Sequence, residues 1–103
     1  MRETRFVEIG PLTALASETF SELLPVPALR MGWGLDAHWA AVASERGWRL
    51  GVVDGVTVRH RAAPAGGRYS REQAIDEARA FLQGRPYLTA DEARRTLAAH
   101  RHW

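Results

Sequence analysis

The sequence has 103 residues, of which 46% are apolar and 25% charged, as in a single soluble globular domain. A chain of this length buries only about two thirds of the surface that its unfolded form exposes, so we expect a modest core. All 14 basic residues are arginine and 12 residues are acidic; the net charge of +2 is too small to indicate nucleic-acid binding. Because cysteine and lysine are absent, the sequence excludes disulfides, thiolate zinc sites, cysteine nucleophiles, Schiff-base chemistry and a Walker A lysine.

Targeting and membrane signals are also missing from the sequence. No apolar run approaches the roughly 18 to 20 residues that cross a bilayer, and residues 1–10 lack the hydrophobic core of a signal peptide. We therefore expect a cytoplasmic protein, or the cytoplasmic part of a larger one, with no transmembrane segment.

The first third of the chain contains two short predicted elements. Residues 6–9 are mainly apolar and stop at a Gly-Pro pair, which favours a short strand. Residues 17–24 carry apolar side chains at helical spacing, and Pro25 prevents this helix from continuing.

A glycine-rich loop precedes the next helix. In residues 28–36 two glycines flank Trp33 and give the backbone freedom that bulkier residues would deny. Asp36 stands at the expected N-cap, and Gly47 ends the predicted helix 37–46. The apolar stripe of this helix consists of Leu35, Trp39, Val42 and Ala43.

Two β-rich segments follow this helix. Residues 48–53 and 56–59 are separated by Asp54 and Gly55, a pair that favours a tight turn. They predict two strands or, alternatively, one strand broken by a bulge. Residues 62–67 are small and contain a proline, so we expect a loop there.

Two capping boxes mark the C-terminal third. Ser70 and Gln73 open a predicted helix whose stripe is Ala74, Ile75, Ala78, Phe81 and Leu82. Thr89 and Glu92 open a second helix with a weaker stripe of Ala93, Leu97 and Ala98. The fold class predicted from all these elements is α/β, a small mixed sheet with three to four covering helices in residues 1–88. Residues 89–103 would form a C-terminal helix or a frayed tail.

Three residues are candidates for chemistry or ligand binding. Asp36 lies behind the glycine-rich loop at a helix N-terminus, which suits a rigidly held base but equally a simple helix cap. His60 ends the segment 56–60, where side chains of α/β proteins often meet ligands, although a lone histidine is commonly structural or exposed. Trp33 is placed to stack on a sugar ring or a base, or to cover the domain surface.

The arginine-rich segment 59–71 is a further candidate. It holds several arginines and Tyr69, which suits binding of phosphates or single-stranded nucleic acid, but also a solvated loop. Since the net charge is small, nucleic acid is the less favoured partner.

The string GWGLD at residues 32–36 precedes a tryptophan-bearing helix, and GVVD at 51–54 and VRH at 58–60 follow it. This combination resembles the C-terminal, acceptor-side half of a bacterial GT-A glycosyltransferase of the family-2 type. The resemblance covers about residues 6–87, and Tyr69, Ala74, Glu77 and Ala78 extend it less specifically.

The resemblance implies roles for several residues. Asp36 occupies the position of the catalytic base of inverting members, and His60 that of the C-terminal metal ligand. Sugar transfer needs a base for the acceptor hydroxyl and a divalent cation, Mg²⁺ or Mn²⁺, to neutralise the departing diphosphate. Trp33, with Gly32 and Gly34 beside it, would line the acceptor pocket.

The sequence lacks the Asp-X-Asp motif that ends the nucleotide-binding half of such enzymes. We therefore expect the acceptor-binding and catalytic-base half of an inverting, metal-dependent glycosyltransferase, inactive without a donor-binding half. Its partners would be a nucleotide-sugar donor, a carbohydrate or lipid-linked acceptor, and a separate donor-binding half or a second copy of the chain. One alternative is a binding module that uses segment 59–71 for phosphate-rich or acidic partners. Another is a ligand-free remnant with exposed apolar surface.

Overall fold

A computed structural model describes residues 1–10, 12–59, 70–94 and 96–99. The helices are α1 (Phe20–Leu23), which continues a 3-10 turn at Ser17–Thr19, α2 (Leu35–Arg46), α3 (Arg71–Leu82) and α4 (Ala90–Ala93). The strands are β1 (Arg2–Thr4), β2 (Leu50–Val52) and β3 (Thr96–Ala99). None of the helices in the described part of the chain is long and apolar enough to cross a membrane.

The strands form one sheet in the order β2-β1-β3, with both outer strands antiparallel to β1. A small sheet with four helices is compatible with the predicted α/β class, but the sheet is antiparallel and the prediction of a mixed sheet is wrong. Glu3 pairs with Gly51 on one side and with Ala98 on the other. The register of β1 against β3 shifts between Glu3 and Thr4.

The N-terminal strand lies earlier than the sequence predicted. Residues 6–9 have no regular structure, whereas β1 is formed by Arg2, Glu3 and Thr4. The charged side chains of β1 form ion pairs with residues that are distant in the sequence. The Arg2 guanidinium lies 2.8 Å from an Asp54 carboxylate oxygen, and Arg49 lies 2.9 Å from Glu3. These pairings are non-local, so the composition of residues 2–4 does not reveal them.

The second predicted β segment, residues 56–59, is also not a strand. A turn at Asp54 and Gly55 follows β2 as expected, with the amide of Val56 donating to the Val53 carbonyl at 3.3 Å. Beyond this turn Val56 and Val58 are exposed and pair with no strand among the described residues. A β-rich sequence without a neighbouring strand leaves its backbone groups unpaired, and it stays irregular.

The C-terminal segment combines a confirmed helix start with an unexpected strand. The Thr89 amide and hydroxyl each donate to the Glu92 carboxylate at 2.9 Å, in agreement with the predicted cap. The helix nevertheless ends at Ala93, and the residues predicted as its apolar stripe, Leu97 and Ala98, lie in β3. Pairing with β1 satisfies their backbone groups more completely than an isolated helix would.

The long helices α2 and α3 are as predicted, apart from one cap. Ser70 caps α3, accepting from the Gln73 amide at 3.4 Å, and Gly47 ends α2 in the left-handed conformation. The N-cap of α2 is Gly34, however, and not Asp36, which lies within the first turn.

The core is small and consists largely of short side chains. The buried apolar residues of the described part are Leu23, Leu35, Ala40, Ala41, Ala43, Ala74 and Phe81. Phe81 is its largest member. The His38 ring packs edge-on against the Phe81 ring with 5.6 Å between the ring centroids, and Arg85 Cζ lies 4.6 Å from the centroid of the Phe81 ring. The amide of Leu88 donates to the Ala37 carbonyl at 3.1 Å, so the chain after α3 returns to the start of α2. The glycine-rich loop that begins α2 is thereby held next to α3.

Candidate functional site

An open groove of about 510 Å³ lies where the glycine-rich loop meets α2. Four of the predicted site residues, Gly32, Trp33, Gly34 and Asp36, line it together. Glu8 and Ile9 form another part of its lining, and Met31 and Leu35 complete it. We call this cavity the Asp36 groove.

Asp36 lies in the first turn of α2 and is half-buried. Its Oδ1 accepts a hydrogen bond from the Ala37 amide at 2.8 Å. Among the described residues, Oδ2 has no hydrogen-bond partner and remains available for a ligand hydroxyl. The positive end of the helix favours a negative charge at this position. The carboxylate is therefore held by its own helix while one oxygen stays free.

Trp33 is the aromatic side chain of the groove. Its side chain keeps 39% of its surface exposed, although it lies between two glycines that hold left-handed backbone conformations, with φ of +77° and +89°. An indole offers an apolar face and a carboxylate accepts hydrogen bonds from hydroxyl groups, so together they suit a ligand that has both apolar faces and hydroxyls.

The glycine-rich loop is anchored by a glutamate of α3. Glu77 Oε2 accepts from the Arg30 amide at 2.7 Å, and Oε1 accepts from the amides of Met31 and Gly32 at 2.8 and 3.0 Å. Three successive backbone N–H groups thus converge on one carboxylate, as in an anion-binding backbone nest.

The charge state of Glu77 follows from this geometry. Partial burial, the largest influence, raises its pKa, but the three backbone hydrogen bonds and the nearby Arg30 charge together hold the pKa below its ordinary value. Near neutral pH the carboxylate is ionised and accepts all three bonds.

A second anchor lies at Gly34. A Cβ atom there would come within 3.2 Å of Leu82 Cγ and 3.5 Å of Ala78 Cβ, so α3 approaches the loop backbone closely. Ala78 and Leu82 are one helical turn apart on α3, and Glu77 directly precedes Ala78. This helix therefore positions the loop by a polar and an apolar contact.

Trp33 also lines a second, more open groove of about 720 Å³ along α3. Its lining includes the apolar residues Ile75, Ala78 and Leu82 and the polar residues Arg79, Arg85 and Tyr87. We call it the α3 groove. Trp33 belongs to the lining of both grooves.

The other predicted site residues fall outside the described part of the chain. His60 and most of the arginine-rich segment, residues 60–69, are not described. The proximity of His60 to Asp36 and the binding-module alternative therefore stay predictions.

The predicted Mg²⁺ or Mn²⁺ ion requires a set of ligating side chains. The described residues contain no group of three or more histidine, cysteine, aspartate or glutamate side chains that holds a metal ion. The Mg²⁺ or Mn²⁺ ion therefore stays a prediction.

Sequence reasoning missed two residues of the site. Glu8 was not singled out, and Glu77 entered only through the resemblance, without a role. Glu77 is separated from Gly32 by 45 positions in the sequence, and nothing in the local pattern of α3 marks it as a loop anchor.

Comparison with known proteins adds no relative. No protein-family model matches this chain, and neither the curated proteins nor the solved structures include a significant match. The resemblance to family-2 glycosyltransferases accordingly stays a prediction.

Proposed function

We propose that the Asp36 groove binds the acceptor of an inverting glycosyltransferase and that this chain is the acceptor-binding and catalytic-base part of that enzyme. The observation that carries the proposal is the joint lining of one groove by an exposed tryptophan, Trp33, and a carboxylate, Asp36, whose Oδ2 has no hydrogen-bond partner among the described residues. The volume of about 510 Å³ lies within the usual range of small-molecule sites, roughly 300 to 1,000 Å³.

In this proposal the acceptor sugar stacks on Trp33 and presents a hydroxyl group to Asp36 Oδ2. The carboxylate takes the hydroxyl proton as the acceptor oxygen forms a bond to the anomeric carbon of the donor, while the bond from that carbon to the diphosphate breaks. Direct displacement in one step inverts the anomeric configuration.

The donor belongs to a part of the enzyme that this chain does not supply. The proposal includes a nucleotide-sugar donor and either a separate donor-binding half or a second copy of the chain as partner. Assignment of His60 to a divalent cation remains part of the proposal and rests on the resemblance alone.

A binding experiment tests the proposal on the chain as it exists. We expect amide and indole NMR signals of residues 31–36 to shift when methyl hexopyranosides are added. Trp33→Ala should weaken this binding by about tenfold, because stacking on the ring is lost. Tyr87→Ala is the matched control, since Tyr87 is an exposed aromatic of the α3 groove only.

The catalytic role of Asp36 is tested in the same series. Asp36→Asn should leave the fold intact and, in an enzyme complemented with a donor-binding half, should lower transfer by about 10² to 10⁴. Asp76→Asn, on the exposed surface of α3, is its control. No shift of residues 31–36 with any hexopyranoside, or transfer by Asp36→Asn near the wild-type rate, would contradict the proposal.

A further inference from the structure

Three consecutive amides of the glycine-rich loop donate their hydrogen bonds to Glu77. Among the described residues, the amides of Arg30, Met31 and Gly32 have no acceptor other than the Glu77 carboxylate. An amide without a partner in a partly buried loop is costly, and hydrogen bonds to an ionised group are about twice as strong as neutral ones. One side chain thus satisfies three consecutive donors.

The loop held in this way carries Trp33, which lines both grooves. Trp33 follows Gly32 directly, and Gly34 lies close to Leu82 and Ala78. The segment between these two anchors is a single residue, Trp33. If the Glu77 anchor is released, the backbone before Trp33 loses three hydrogen bonds and keeps the longer one from the Leu35 amide to the Gly32 carbonyl, at 3.4 Å, while Asp36, on α2, keeps its place.

We infer that Glu77 is a positioning residue of the Asp36 groove, whose carboxylate fixes the loop that places Trp33 in the lining of the Asp36 groove and of the α3 groove. The consequence for sugar binding rests on the proposed function, whereas the positioning of Trp33 does not. Glu77 touches no substrate in this role and acts only through the loop.

In the described part of the chain, the charged groups near Glu77 come from the loop, from α3 and from the groove lining. Arg30 lies in the loop beside it, and Asp76 and Arg79 on α3 pair with each other at 3.7 Å and are largely exposed. On the far side of the loop, Glu8 and Asp36 line the groove. Asp76 therefore provides a control carboxylate on the same helix that holds no loop amide among the described residues.

The variant Glu77→Gln tests the role with little change of volume. Its amide oxygen still accepts from two loop amides, but its NH₂ group replaces the oxygen that accepts from Arg30 and places two donors face to face. We expect the amides of Arg30, Met31 and Gly32 to exchange with solvent about tenfold faster than in the wild type. The indole N–H resonance of Trp33 should also move.

Asp76→Asn should leave the amide exchange and the Trp33 resonance as in the wild type. If Glu77→Gln also keeps wild-type exchange and an unchanged Trp33 resonance, the positioning role is overturned. If Glu77→Gln does not fold, the wild type supplies the test. On acidification its amide proton resonances at Arg30, Met31 and Gly32 should move together with the Glu77 carboxyl carbon, and independent titration would overturn the inference.

Affinity for a methyl hexopyranoside separates this inference from the proposed function. Weaker binding by Glu77→Gln, about tenfold, with unchanged binding by Asp76→Asn supports the positioning of Trp33 for a sugar. A disturbed loop together with no binding even by the wild type contradicts the proposed function and supports the positioning role. A disturbed loop with unchanged sugar affinity, when the wild type binds, overturns the consequence for sugar binding and supports the positioning of Trp33 alone.

Discussion

At the scale of single residues, Gly34 combines two requirements that a side chain does not meet. Its φ of +89° lies in the left-handed region, and a Cβ would come within 3.2 Å of Leu82 Cγ. Gly34→Ala should therefore lower the free energy of unfolding by about 1 to 2 kcal/mol for the backbone and further for the displaced Leu82. Urea unfolding followed by circular dichroism measures the loss.

Gly47→Ala separates the two contributions. Gly47 also has a left-handed backbone, with φ of +69°, but a Cβ there meets no atom within 4 Å. This variant should show the backbone cost alone, so equal losses at the two positions would contradict the close approach of α3 to the loop.

The residues of the site differ in how far the sequence could predict them. Gly32, Trp33, Gly34 and Asp36 lie within five consecutive positions, and one loop carries them into one groove, while their roles stay predictions. The role of Glu77 was beyond prediction, since it arises only when the register of α3 against a distant loop is known.

At the scale of elements, α3 joins the core to the candidate site. One side of it presents Glu77 and Ala78 to the loop, and Phe81 is 6% exposed in the core beneath His38 and Arg85. The same helix thus supports both the fold and the groove.

Removal of the Phe81 ring should be severely destabilising. Phe81→Ala leaves a cavity and is expected to lower the free energy of unfolding by about 3 to 5 kcal/mol. Phe20→Ala is a matched control, since Phe20 is 44% exposed and loses far less contact. Chemical denaturation of both variants provides the comparison, and similar losses would contradict the placement of Phe81 in the core.

Helices were easier to predict than strands in this chain. Both α2 and α3 have local signals, namely apolar spacing and end residues such as Ser70 and Gly47. β3 follows a helix cap at Thr89 that predicts more helix, and only pairing with β1 makes residues 96–99 a strand. Strand pairing is non-local, so the composition of a short polar segment such as β1 does not predict that it pairs as a strand.

At the scale of the whole molecule, a small core coexists with much exposed apolar surface. Exposed large side chains include Leu12, Phe20, Val26 and Val56, whereas alanine dominates the buried set. This balance suits the proposed acceptor half, which would pack against a donor-binding partner. It also makes polar connections between distant segments important for stability.

Two such connections depend on ionised carboxylates. Glu77 joins α3 to the glycine-rich loop, and Asp54, after β2, pairs with Arg2 in β1. The hydrogen bond from Arg2 is the main reason that the pKa of Asp54 lies below its ordinary value, although partial desolvation opposes it. The pKa of Glu77 is also lowered, against the opposing effect of burial.

Stability should therefore fall in acid. A carboxyl group whose pKa is lower in the folded than in the unfolded state contributes stability that is fully present above its unfolded pKa, about 4. That contribution is lost as the pH falls through the folded pKa, because the unfolded chain takes up protons first. We expect the urea midpoint to be nearly flat between about pH 5 and 7 with respect to these two groups and to decline below about pH 4.

The double variant Glu77→Gln, Asp54→Asn should show a lower midpoint near neutral pH and a shallower decline in acid. Added salt should weaken the Asp54 part of the effect, since the Arg2 pair is exposed. If wild type and double variant decline in parallel, other carboxylates govern the acid response and the two connections contribute nothing to it.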